Sequence, residues 1–130
     1  MNDDGQNRRR EKMKDILLVC IGSFVGGGAR YAISKAMQLF LPTVLPWGTL
    51  TVNVVGCFLI GLLSGLLPGN HTAKLILVTG FCGGFTTFST FMNENFQLGR
   101  DGHLLWAMLY TAASVVLGLL AVMAGYQIVK

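Results

Sequence analysis

Four long runs of mostly apolar residues divide the chain, roughly Ile16 to Phe40, Thr49 to Leu67, Ala73 to Phe96 and Leu104 to Val129. Each is close to or beyond the about 20 residues a helix needs to cross the hydrocarbon core of a bilayer. Turn-forming and polar residues separate them: Pro42 and Pro46 with Trp47, then Pro68-Gly69-Asn70, then Arg100-Asp101-Gly102-His103. The pattern predicts an all-α membrane protein of four spans (about 16–40, 49–67, 73–96 and 104–129). Residues 13–130 form one transmembrane domain, and residues 1–12 are expected to be a disordered extension.

Composition agrees: 52% of residues are hydrophobic, only 12% are charged, and mean hydropathy is +0.57, which leaves little chain for a soluble domain. The formal net charge of +4 gathers near the N-terminus at Arg8, Arg9, Arg10 and Lys12. Anionic headgroups account for such a cluster, and no nucleic-acid partner is implied. The same cluster before an apolar run resembles a secretory signal. The first window, however, continues through Tyr31, Ala32 and Ile33 beyond the small residues Gly26 to Ala29, and three more spans follow. Bulky Val19 before Cys20 argues against a lipoprotein cysteine. Cys20, Cys57 and Cys82 lie inside apolar windows without a Cys-x-x-Cys pair, and read as small packing residues. Asn70-His71-Thr72 spells a glycosylation sequon, but a short loop close to the membrane favours an ordinary turn.

Within the spans, polar and small residues fall on particular faces. Gly22 and Gly26 have GxxxG spacing, a surface on which another backbone can approach closely. Arg30 sits well inside the first window, where a guanidinium is costly unless it meets water, an anion or a carboxylate. Two readings stand: snorkelling to the interface with Lys35, or drawing anions into a vestibule. In the second window Thr49, Asn53, Cys57, Gly61 and Gly65 recur every four residues and share one face. An unpaired Asn53 amide is expensive in an apolar setting, so it either bonds another helix or donates into a pore. Tyr110, Ser114 and Gly118 repeat the pattern in the fourth window, as a polar track or as a packed face whose serine bonds its own backbone.

The stretch GFCGGFTTFSTF, Gly80 to Phe91, stands apart. Gly83-Gly84 followed by β-branched Thr86-Thr87 predicts a helix break in mid-membrane. Backbone freed at that depth must be buried in protein or line a watery cavity. Its carbonyls are hard-oxygen ligands suited to a small cation such as Na⁺. Beyond the break, Phe88, Phe91 and Asn95 form one stripe and Thr87, Thr90 and Glu94 the next. Phenyl rings present a positive edge, so ring edges beside donors such as Ser89, Thr90 and Asn53 suit a small anion stripped of water.

Three motifs resemble the Fluc (CrcB) family of fluoride channels. They are Gly22-Ser23-x-x-Gly26 through Arg30-Tyr31, Pro46-Trp47-Gly48-Thr49-Leu50-Thr51-Val52-Asn53-x-x-Gly56, and Gly80-x-Cys82-Gly83-Gly84-x-Thr86-Thr87-Phe88-Ser89-Thr90-Phe91. The likeness runs from about Met13 to the end. It implies a dual-topology dimer of two identical, oppositely inserted chains in a bacterial cell membrane, with two fluoride pores between them. It also implies a structural Na⁺ on the two-fold axis, held by backbone carbonyls that map to Gly83 and Thr86. The pore residues carry over as Phe88 and Phe91 for ring edges, Asn53 for the amide, Ser89 and Thr90 for hydroxyls, and Tyr110 with Ser114. Arg30 and Glu94 are vestibule candidates. Gly118 departs from members with a serine there, which interrupts the polar track.

No repeat relates the two halves, so inverted symmetry requires a second copy. Arg8, Arg9, Arg10, Lys12, Lys14, Lys74 and Lys130 fall on the N-terminal side, against Arg30, Lys35 and Arg100 on the other. That bias favours one fixed orientation, and with it a heterodimer with a paralogue. Counted from Met13, three charges remain on each side, the balance that dual insertion needs. The function implied is passive fluoride export that lowers the cytoplasmic concentration and protects against fluoride toxicity. It is not an enzyme's function: no nucleophile with a nearby histidine, metal-ligand cluster or phosphate loop is evident in the sequence. The rival classes are a small proton-coupled exporter, which centres on a first-helix carboxylate not seen in this window, and an accessory membrane subunit.

Overall fold

The computed structural model describes residues 2–130, which form an all-helical bundle. The elements are α1 (Asn2–Phe40), α2 (Trp47–Leu66), an interrupted third segment, and α6 (Leu104–Val129). The third segment runs His71–Arg100: α3 (His71–Lys74), a π-helical stretch (Leu75–Cys82), α4 (Gly83–Phe85), three non-helical residues, and α5 (Ser89–Arg100). Among the described residues, four helices are long and apolar enough to cross a membrane.

The first helix begins earlier than expected. The 3–12 stretch, expected as disordered extension, is helical and exposed. It contains no proline and a single glycine, Gly5, and Asp3 and Asp4 sit in the first turn, where carboxylates oppose the positive end of the helix dipole. At 1.5 Å per residue, the 39 residues of α1 reach about 58 Å, roughly twice the hydrocarbon thickness.

Local chemistry fixes the other ends. Asn70 Oδ1 accepts the Ala73 N–H at 3.1 Å and starts α3. Helix α5 stops in a Schellman motif: Gly102 takes φ +87°, His103 N–H reaches the Leu98 carbonyl at 2.7 Å, and Gly102 N–H reaches that of Gly99. In the loop after α1, Trp47 Nε1 donates to Thr43 Oγ1 at 2.7 Å.

The bundle is held by two intimate helix pairs. Helix α1 packs along the π-helical stretch and α4, while α2 packs along α6. Helix α5 instead leans on α6, so the third segment changes neighbours at its interruption. Both pairs meet through glycine, as membrane helices do when dispersion and backbone approach replace the hydrophobic drive. A Cβ on Gly26 would overlap the Phe81 carbonyl, and one on Gly84 would lie 2.7 Å from the Ser23 oxygen. Gly61 against Val122 and Gly125 against Phe58 repeat the arrangement between α2 and α6. Few side chains are fully enclosed, with Val52 and Cys82 at 0% exposure, and large apolar residues cover the outside.

The interruption itself lies later than the expected Gly83-Gly84 position. Both glycines are helical, and the chain leaves the helix at Thr86, with φ −89° and ψ 159°. Gly84 is required by the close approach of α1, whereas Thr86 and Thr87 are the residues whose backbone finds partners outside the helix.

Gly26→Val is expected to destabilise the folded protein by about 3 kcal/mol or more, since a main-chain carbonyl cannot yield to the new side chain. Gly28→Val, whose Cβ meets nothing within 4 Å, should be nearly neutral. Thermal unfolding in detergent compares them, and equal losses would contradict this account of the crossing.

Candidate functional site

The site is built around the interruption. Thr87 N–H donates to Asn53 Oδ1 at 2.8 Å, and Asn53 Nδ2 donates back to the Thr87 carbonyl at 3.1 Å. One side chain of α2 thus satisfies both main-chain groups of a residue that a continuous helix would have bonded internally. Of the two readings of Asn53, the interhelical bond is formed, and an amide with two N–H groups still has one to donate.

The carbonyls that lose their helical partners at the interruption include those of Gly83 and Thr86. In a continuous helix Gly83 C=O would accept from Thr87 N–H, which is bonded to Asn53. Thr86 C=O would accept from Thr90 N–H, which donates to Thr87 Oγ1 at 3.3 Å. Open space lies beside Gly83, with only the Val78 oxygen at 4.0 Å from a built Cβ. These are the two residues to which the family resemblance assigns Na⁺, and a released main-chain oxygen is a hard, neutral donor. Among the described residues no cluster of three or more His, Cys, Asp or Glu side chains is placed to hold a metal.

Beside the interruption runs a groove of about 300 Å³ lined by Asn53, Cys57, Ile60, Thr86, Thr87, Phe88, Phe91, Ser114 and Val115. The Phe88 and Phe91 rings are tilted by 51° with centroids 6.2 Å apart. Phe91 is 7% exposed and meets Tyr110 edge-on at 5.0 Å, whereas Phe88 is 72% exposed. Ser114 Oγ is buried and, among the described residues, has no hydrogen-bond partner. The groove therefore combines aromatic rings, an amide with a spare donor and an unengaged hydroxyl.

A second cavity, about 460 Å³, opens at the end of the bundle between the 41–47 loop and the C-terminal half of α5, and includes Gln38, Glu94, Gln97, Asp101 and His103. Glu94 joins the two regions. Its Oε2 accepts the Thr49 hydroxyl at 2.8 Å and its Oε1 accepts Tyr110 OH at 3.0 Å. Thr49 and Tyr110 are 4% and 3% exposed, so a carboxylate at the cavity wall is tied to two enclosed hydroxyls.

The structure gathers most of the expected residues here. Asn53, Phe88, Phe91 and Ser114 line the groove, Tyr110 flanks it, and Glu94 lines the end cavity. Ser89 is exposed at the start of α5 and Thr90 is half-buried, and neither lines the groove. Arg30 lines neither cavity; its Nε donates to the Gly84 carbonyl at 3.2 Å. Gly118 is buried with a built Cβ 3.4 Å from Cys57 Sγ. Sequence reasoning overlooked Thr87, whose main chain is the clamped unit, and gave Thr49 no task. The four-residue spacing of Thr49 and Asn53 held the available signal, since both reach the third segment.

A family model described as CrcB-like protein, Camphor Resistance (CrcB), matches residues 17–126. The chain is 44% identical over 124 residues to the fluoride-specific ion channel FluC of Chlorobium phaeobacteroides (strain BS1), covering 92% of this chain and 96% of the relative. It is 46% identical over 122 residues to the protein of that name from Chlorobaculum tepidum, covering 91% and 96%. The one from Flavobacterium psychrophilum is 40% identical over 122 residues, covering 91% and 98%.

Asn53→Ala leaves the Thr87 N–H and C=O without their partner and is expected to cost about 2 kcal/mol or more. Asn53→Asp keeps the acceptor but not the amide donor, and should fall between. Unfolding midpoints of the two variants check the order.

Proposed function

The chain belongs to the CrcB-like family, and on that footing we propose that it is a passive, fluoride-selective ion channel that exports fluoride and protects against its toxicity. The observation that carries the reading is Ser114 Oγ, buried without a partner in a groove that also holds Phe88, Phe91 and Asn53. A lone buried hydroxyl is costly, and it suits a ligand that supplies the missing acceptor. Fluoride has a tightly held hydration shell. Ring edges, the spare Asn53 N–H and the Ser114 O–H replace that shell in part, and an ion entering the cavity by Glu94 meets Tyr110 and then Phe91.

The working unit is an antiparallel homodimer in a bacterial cell membrane. What supports it is the openness of one copy: Phe88, which lines the groove, is largely exposed. A second, inverted chain closes the groove and brings a second pair of Gly83 and Thr86 carbonyls to the interruption. Na⁺ held there would supply positive charge to oxygens that have no other donor. The relatives' names favour conduction over proton-coupled export, and Glu94, the acid within the third segment, has both oxygens engaged by hydroxyls.

Liposomes carrying the purified chain should lose fluoride rapidly, measured by a fluoride electrode, while chloride in parallel samples stays inside. Phe91→Ile keeps hydrophobicity but removes the ring edge, and fluoride loss should slow about tenfold or more with assembly intact. Equal efflux of both anions, or an unchanged rate for Phe91→Ile, would return the accessory and exporter readings.

A further inference from the structure

Arg30 occupies a place that neither snorkelling nor anion attraction explains. The α1 backbone is locked against the third segment where Gly26 meets Phe81 and Gly84 meets Ser23. Arg30 is one turn past Gly26, half-buried, and its Nε–H points at the Gly84 carbonyl, 3.2 Å away. In an unbroken helix that carbonyl would accept from Phe88 N–H, but α4 ends at Phe85 and the chain is extended at Thr86. The released oxygen lies in the last turn before the break, at the negative end of the helix dipole, where a cation is favoured. Among the described residues, the ion pairs are His71 with Asp15 and Arg100 with Asp101, so Arg30 meets this carbonyl and no carboxylate.

We propose that Arg30 is a positioning residue for the helix break: its guanidinium caps Gly84 C=O from the α1 side, as Asn53 clamps Thr87 from the α2 side. Two side chains on two different helices thereby stand in for backbone bonds the third segment lacks. The guanidinium also occupies one of the two oxygens lying between Gly83 and Thr86 in sequence, that of Gly84, and leaves the Gly83 and Thr86 carbonyls free of it. That last consequence rests on the cation reading given above, whereas the cap itself does not.

The test reads the backbone directly. Full-length Arg30→Met is reconstituted in phosphatidylcholine–phosphatidylglycerol vesicles, and amide hydrogen exchange is compared with wild type. The cap predicts that amides of residues 84–91 exchange about tenfold faster, the size expected for one charged hydrogen bond, while α2 and α6 keep wild-type rates. Fluoride efflux through the same variant should fall by a factor that does not depend on ionic strength. Exchange at the wild-type rate overturns the proposal. So does an efflux deficit that vanishes at high salt, because screening by salt marks a residue that attracts anions from a distance. If Arg30→Met does not insert, Arg30→Gln, which keeps an N–H donor on a shorter side chain, is judged by the same two outcomes. A wild-type chain that passes no fluoride would refute the channel reading and leave the exchange comparison standing.

Discussion

Everything distinctive in this bundle depends on one constraint: main-chain N–H and C=O groups released from a helix need new partners. The third segment releases several at once between Phe85 and Ser89. Side chains of its neighbours, and one of its own, receive four of them. Asn53 takes both groups of Thr87, Thr87 Oγ1 takes the Thr90 N–H, and Arg30 takes the Gly84 carbonyl. Without those partners an uninterrupted helix would be the lower-energy choice, and α5 would continue along α1 instead of crossing to α6.

That crossing connects the fold with the chemistry. Because the segment changes neighbours, Phe88 and Phe91 are carried away from α1 and set beside α2 and α6, where Asn53 and Ser114 wait on matching faces. Polar residues on three elements converge without a tightly filled centre. In lipid the outer apolar surface needs no enclosure, and one small cluster of buried residues, Phe91, Leu98, Ala107 and Tyr110, sits where α5 meets α6.

Much of this was legible in the residues. Hydropathy delimited four spans, and the period-four series from Thr49 to Gly65 marked the face that meets the third segment and α6. GFCGGFTTFSTF announced an interruption, yet its position was misjudged by about three residues. Helix propensity weighs each glycine alone, whereas Gly84 is fixed by the approach of α1, a contact between residues far apart in the chain. For the same reason the partner of Arg30 was invisible: an apolar window signals that a buried cation needs company, but not which main-chain oxygen provides it. The helical course of the 3–12 stretch was missed because the family likeness begins only near Met13 and the residues before it were set aside as an extension, although the stretch has no proline and one glycine.

The glycine crossing of α1 with the third segment has a consequence for temperature. Side chains that interlock can exchange rotamers as heat is supplied, and a contact built from them loosens by degrees. Where Gly22 and Gly26 rest on the carbonyls of Ile76 and Phe81, main chain touches main chain, and there is no torsion to relax. Such a seam keeps its spacing until it parts altogether, so the distance between α1 and the helix break should stay constant over the whole range in which the bundle is folded.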